Sequence, residues 1–337
     1  MWIIFLIVAI IILSSIMLWN FIFGKRCEGN PNLKYFTADD FEELEAKKIE
    51  FKSNKGQILR GNIYTNKNIK EYKGLVIFVH GMGAGHLSYT TEINTIAKSG
   101  YKVLSYDNTG CCASDGKSMN GFYQAVLDLK YCLEFVKENK ELNKYKVNLI
   151  GHSWGAYSVC QVLKYGVDVK TVTAMSGPEN LEELLTGSMG VIGKILKPFI
   201  RCINFIKFGN DGIQSTKEVL KKVNENTNIL LFHGKADKTC PEKRSIVFES
   251  EIAFEGKTNI VSVMFEEKCH NIYQTLESEK YLNEVFGNIA GLKKKYKGKE
   301  LEEKTKELYG NIDYKKITEE DPDVMKSIID FLNENNK

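Results

Sequence analysis

Between Trp2 and Phe23 the chain is apolar almost without interruption, with Ser14, Ser15 and Asn20 as its only polar residues. A helix of that length at about 1.5 Å per residue reaches roughly 33 Å, enough to cross the hydrocarbon of a bilayer. Trp2 and Trp19 fall near its ends, where indole rings favour the boundary between lipid and water. The charged opening and small-residue cleavage site of a signal peptide are missing, so the pattern predicts a retained transmembrane anchor over residues 1–24. Lys25, Arg26 and Lys34 follow the segment and no basic residue precedes it, which by the positive-inside rule places the body on the cytoplasmic side of the cell membrane.

After an acidic stretch at 39–45 the pattern changes period. IEFKS (49–53) and ILRGNIY (58–64) alternate apolar and polar residues across a turn at 54–56, predicting an antiparallel hairpin at a sheet edge. GLVIFVHG (74–81), YKVLSYD (101–107), KVNLIGHS (146–153), VKTVTAMSG (169–177), NILLFHG (228–234) and NIVSVMF (259–265) are instead short, continuous and rich in β-branched residues. Helical stretches at 92–99, 121–137 and 154–165 separate several of them. That alternation builds a mostly parallel sheet with helices on both faces, an α/β fold over residues 46–337. A body beginning near Cys27 is expected to fold and act without the anchor.

Residues 178–227 break the rhythm, since two strands are rarely so far apart without an insertion between them. Within this stretch VIGKILKPFIRCINFIKF (191–208) is apolar with interspersed Lys and Arg. It predicts an amphipathic cap over the carboxyl ends of the strands, with Leu184, Leu185, Ile192, Ile195, Leu196 and Phe199 lining a site beneath it; an ordinary covering helix is the plainer alternative. GLKKKYKGKELEEKTKE (291–307) mixes charges with weak periodicity and reads as a solvated face, ahead of an amphipathic run at 324–333.

Composition narrows the classes. The 337 residues are 43% hydrophobic and 26% charged with a net charge of +3, a folded chain with no field to attract nucleic acid. Cys27, Cys111, Cys112, Cys132, Cys160, Cys202, Cys240 and Cys269 form no CxxC pair and have no His at zinc spacing. They read as free thiols, with no metal and no cofactor.

The chemistry gathers around GHSWG (151–155), which closes the strand KVNLI and opens a helix, the context a nucleophile elbow requires. Ser153 is the candidate nucleophile. Of the five histidines, His80, His86 and His152 precede it and His233 lies inside an apolar strand, which leaves His270 as the base. Asp237, just past the strand NILLFHG, is the candidate acid that orients His270. The N–H of Trp154 and that of Met82, in the glycine-rich turn HGMGAGH (80–86), are the candidate oxyanion donors. A phosphate-cradling turn is the alternative reading, against which no GK[ST] follows and the spacing departs from GxGxxG.

In their order VHGMGAG, YDNTGCCASDGKS, GHSWG, HGKADKTCP and CHN, spread over residues 73–271, make the chain resemble the α/β-hydrolase family, in particular its serine aminopeptidase and monoacylglycerol lipase branch. The resemblance implies the triad Ser153, Asp237 and His270, oxyanion donors at Met82 and Trp154, and a cap after Gly177 that shapes acyl specificity. Two features depart from the family: Cys111 and Cys112 stand within the loop from Asp107 to Ser114, and a long charged segment separates His270 from the last helix. The expected activity is a membrane-anchored serine hydrolase acting on a small-molecule acyl ester. Peptidase and thioesterase activity would use the same triad, and a non-catalytic binding protein would keep the fold alone.

Overall fold

A computed structural model describes residues 2–83 and 85–337; Ala84, in the glycine-rich turn, lies outside the described residues. Among the described residues eight strands form one sheet, in the order β1-β2-β4-β3-β5-β6-β7-β8. They are β1 (Leu44–Lys52), β2 (Ile58–Asn66), β3 (Gly74–Val79), β4 (Tyr101–Tyr106), β5 (Val147–His152), β6 (Thr171–Met175), β7 (Asn228–Gly234) and β8 (Ile260–Phe265). β1 and β2 pair antiparallel, β2 joins β4 antiparallel, and every later pairing is parallel. The edge hairpin thus lies where the alternating pattern placed it, with β1 starting five residues earlier, at Leu44.

The helices follow in chain order: α1 (Trp2–Phe23), α2 (Thr90–Lys98), α3 (Gln124–Glu138), α4 (Trp154–Gln161), α5 (Leu181–Thr186), α6 (Gly190–Phe208), α7 (Thr216–Lys221), α8 (Ser250–Ala253), α9 (Leu276–Lys295), α10 (Gly298–Gly310), α11 (Tyr314–Ile317) and α12 (Pro322–Asn335). Successive strand residues point to opposite faces. Leu75, Ile77 and Val79 of β3 accordingly join a large core with Trp154, Val159 and Leu129 from α4 and α3. Val76 and Phe78 face the other way, onto Ile93 and Ile96 of α2 and Val324, Ile328 and Leu332 of α12. Burial on both faces is why these strands read as unbroken apolar runs.

The insertion between β6 and β7 holds α5, α6 and α7. Three faces divide α6. Gly193, Leu196, Ile200 and Asn204 are buried. Lys197 and Arg201 pair with Glu183 and Glu182 of α5. Val191, Ile192, Ile195, Phe205 and Ile206 are exposed. Ile192 and Ile195 therefore face outward, at 62% and 45% exposure, rather than lining an inner site. The sequence pattern marked the helix as amphipathic but could not say which of two apolar stripes turned inward.

α1 is likewise two-sided in its final turns. Trp2 is 86% exposed, whereas Ser15, Trp19 and Phe23, one above another at helical spacing, are buried. Trp19 packs against α6: Asn204 Oδ1 lies 3.5 Å from its indole Nε1, and the Lys207 ammonium sits 4.2 Å above its ring. Phe23 meets Phe122 edge-on at 6.3 Å, inside the core that holds Trp154. The expectation of a body independent of the helix does not fit this packing. Beyond the sheet, α9, α10 and α11 enclose a small separate cluster of Val285, Ile289, Tyr309, Ile312 and Ile317, leaving the charged faces of 291–307 in solvent.

Candidate active site

β5 ends at His152 and α4 begins at Trp154, so the single residue Ser153 makes the turn between them. It does so at φ 55° and ψ −111°, a conformation that side chains rarely adopt and that surrounding structure has to impose. Two close approaches impose it. A Cβ on Gly155 would lie 1.9 Å from the Val79 carbonyl oxygen, and one on Gly151 would lie 2.4 Å from the Gly155 carbonyl carbon. The Ser153 N–H donates to the Met175 carbonyl at 2.8 Å, tying the turn to β6.

His270 comes from the loop after β8, and Asp237 from the loop after β7. The structure brings both to Ser153: the Ser153 Oγ is 2.9 Å from His270 Nε2, and His270 Nδ1 is 2.7 Å from Asp237 Oδ2. Asp237 is buried, and its other oxygen accepts the N–H groups of Thr239 and Cys240, each at 2.8 Å. A carboxylate so placed accepts the Nδ1 proton, which leaves the Nε2 lone pair for the serine hydroxyl. The arrangement can draw a proton from Ser153 and hold the resulting imidazolium.

The loop carrying His270 is fastened from several sides. Its carbonyl accepts Ser176 Oγ at 2.7 Å and His152 Nε2 at 3.0 Å, and the Asn271 N–H donates to Glu279 of α9 at 3.0 Å. Lys268, two residues before it, donates to the Gln274 carbonyl and pairs with Asp321, the residue that caps α12. Burial holds His152 down to about 3, with the neighbouring His270 acting in the same sense, so its ring is neutral. A neutral ring that donates through Nε2 must accept at Nδ1, where the Tyr89 hydroxyl stands 2.8 Å away; Tyr89 in turn accepts the Gly81 N–H at 3.0 Å. A buried chain Gly81–Tyr89–His152–His270 thereby joins the glycine-rich turn to the His270 backbone. The sequence reading set His152 aside because it precedes Ser153, and nothing in the sequence marked Tyr89.

The same turn lies against the elbow. Val79 and His80 carbonyls face Gly155, and Gly81 faces His152, which carries Met82 to the mouth of the turn with its side chain 38% exposed. Trp154 opens α4, so its N–H has no acceptor within the helix. His80 Nε2 accepts the Asn108 N–H at 2.9 Å, and Asp107 accepts the His86 N–H at 2.9 Å and its ring Nδ1 at 2.8 Å. Asp107 and Asn108, in the loop with the unusual cysteines, thus hold both ends of the turn. Among the described residues no three His, Cys, Asp or Glu side chains converge as a metal site. A cavity of about 1240 Å³ opens at the amino ends of β5, β6 and β7, beside Val147, Val169 and Thr227, and includes none of these groups.

Residues 70–205 match the family model described as serine aminopeptidase, S33; that stretch includes Met82, Ser153 and Trp154 and ends before Asp237. A proline iminopeptidase of Clostridioides difficile is 30% identical over 108 residues, 31% of this chain and 33% of that protein, so the likeness spans about a third of the relative. Among solved structures, an esterase of Pyrococcus furiosus superposes with a TM-score of 0.57 at 19% identity, covering 77% of this chain and 96% of that one. An acylaminoacyl peptidase of Pyrococcus horikoshii superposes with a TM-score of 0.52 at 17% identity, covering 69% of this chain and 38% of that one. The chain has the α/β-hydrolase fold, and over residues 70–205 it is similar to the serine aminopeptidase family.

Proposed function

We propose that the chain is a membrane-anchored serine hydrolase that cleaves a carboxylic ester through an acyl-serine intermediate. The observation that carries this reading is the relay from Ser153 Oγ to His270 Nε2 at 2.9 Å and from His270 Nδ1 to Asp237 at 2.7 Å, on a strained elbow. Ser153 attacks the acyl carbon as His270 takes its proton. The oxyanion is met by the N–H groups of Met82 and Trp154. Collapse expels the alcohol, which receives the proton from His270. Water activated by the same imidazole then attacks the acyl-serine, and the acid leaves with Ser153 restored.

The membrane reading is supported by the length and exposure of α1, a helix of 22 residues, long and apolar enough to cross a membrane. The exposed stripe of α6 beside it adds a second apolar surface flanked by Lys194 and Lys207. A body on the cytoplasmic side is the reading that Lys25, Arg26 and Lys34 support, although Arg26 is engaged within the fold with Glu28 and the carbonyls of Cys112, Ser114 and Gly116. The same relay serves an ester or a peptide bond, and the ester is the first reading to test. Hydrolysis of nitrophenyl acyl esters and of aminoacyl nitroanilides by the full-length protein separates the two. Faster turnover of esters is expected, and turnover confined to free-amine nitroanilides would replace the ester reading with an aminopeptidase.

A further inference from the structure

Four residues beyond α1 the chain runs beside the loop that follows β4, and the two meet at cysteines. Cys27 and Cys111 are partners in a short parallel pairing. The Cys27 N–H donates to the Gly110 carbonyl at 2.8 Å, and the Cys112 N–H donates to the Cys27 carbonyl at 2.9 Å. Arg26 fixes this register, its guanidinium donating to the carbonyls of Cys112 at 2.7 Å, Ser114 at 3.0 Å and Gly116 at 2.6 Å. Paired residues on parallel strands send their side chains to the same face. Their backbones lie about 4.8 Å apart, inside the Cα separation of about 4.4–6.8 Å that a disulfide spans.

The two thiols differ in a way that suits an attacking and a resolving partner. Cys27 is partly open to solvent and Cys111 is buried. The Cys111 thiol, hydrogen-bonded to Cys27, pulls the latter down to about 6 against the cost of burial, with the Gly29 and Gly83 backbones helping. Cys27 is thus a thiolate near neutrality, the form that reacts. Cys112 is turned to a different use, its Sγ lying 3.7 Å from the Cys27 carbonyl oxygen. Elsewhere Cys132, Cys160 and Cys240 are buried without a cysteine partner among the described residues, and Cys202 is alone on the outer face of α6.

We propose that Cys27 and Cys111 form a reversible disulfide site that reacts with peroxides. The Cys27 thiolate attacks one peroxide oxygen; the S–O bond forms, the O–O bond breaks, and the departing hydroxide is protonated to water. The Cys111 sulfur then attacks the Cys27 sulfur, the S–S bond forms, and the S–O bond breaks as hydroxide leaves with the Cys111 proton as a second water. Two thiols are oxidised, and the peroxide takes up both electrons. The bond ties the exit of α1 to the loop whose Asp107 holds the glycine-rich turn, and it removes the thiolate that the Gly83 backbone faces. Nothing in this step depends on the role of Ser153.

The test uses full-length protein in detergent, reduced, exposed to hydrogen peroxide, alkylated under denaturing conditions and mapped by peptide mass spectrometry. One linked pair, Cys27 to Cys111, lighter by two hydrogens and reopened by dithiothreitol, is the expected product, with Cys132, Cys160 and Cys240 alkylated. In Cys111→Ser the resolving thiol is gone, and Cys27 should carry the sulfenic-acid trap dimedone. Full alkylation of Cys27 in the oxidised wild type, or a link from Cys27 to Cys112 in place of Cys111, would overturn the assignment without recourse to any variant.

Discussion

Ser153 sits where the backbone is strained, and its neighbours explain why glycines flank it. With the Val79 oxygen 1.9 Å from a Cβ at position 155, Gly155→Ala has to push β3 and α4 apart. A loss of about 1–3 kcal/mol or more is expected, read as a lower melting temperature, since overpacked sites rarely relax fully. His270→Ala and Asp237→Asn should each lower kcat by roughly 10⁴ without that thermal cost, because the relay acts as a unit. Tyr89 presents a different case. Tyr89→Phe leaves the Gly81 N–H and His152 Nδ1 without partners in a buried place, which costs about 1–3 kcal/mol. Both the melting temperature and kcat should fall, and an unchanged kcat would show that the chain from Gly81 to His270 positions nothing. Ser153, Asp237 and His270 were legible in the sequence because each follows a strand and their order is constrained. His152 and Tyr89 were not, since a hydrogen bond between residues 63 positions apart leaves no local pattern.

α12 closes one face of the sheet through Val324, Ile328 and Leu332, and its approach to α2 brings two carboxyls together. Glu320, just before α12, accepts Thr95 Oγ1 of α2 at 2.6 Å, and burial pushes it up to about 7 from an ordinary 4.5. Glu92 of α2 is raised too, by burial first and then by Glu320. Between those values Glu320 in the folded chain keeps a proton that the unfolded chain has released, so it favours folding below about pH 4.5 and loses that contribution as pH rises through 7. Glu320→Gln should therefore gain in melting temperature over the wild type as pH is raised from 5 to 8. A gain that shrinks across that range would contradict the sign. The amphipathic runs that became α6 and α12 were visible as patterns, yet the outward turn of Ile192 and Ile195 was not. Helical spacing shows that a helix has an apolar stripe, but α6 has two, and only the packing of α1 and α5 against it decides which is covered.

α1 and the body behave as one packed unit at their junction, because Trp19 and Phe23 fill the same core as Phe122 and Trp154. Trp19→Ala should cost about 3–5 kcal/mol, measured as the denaturant midpoint in detergent. A change under about 0.5 kcal/mol would show the contact to be incidental. The sequence separated the helix from the body by composition alone; that a membrane-length apolar segment also carries a buried stripe follows from contacts with residues almost 200 positions away. The sheet, by contrast, could be read nearly strand by strand, since each buried run is bounded by its own turn signals. The proposed function rests on Ser153 as nucleophile, and a fluorophosphonate tests that directly. Intact-mass and peptide analysis of the full-length protein should show one phosphonyl adduct per chain, on Ser153, and none in Ser153→Ala. An unlabelled wild type, or an adduct on another residue that persists in Ser153→Ala, would contradict the account.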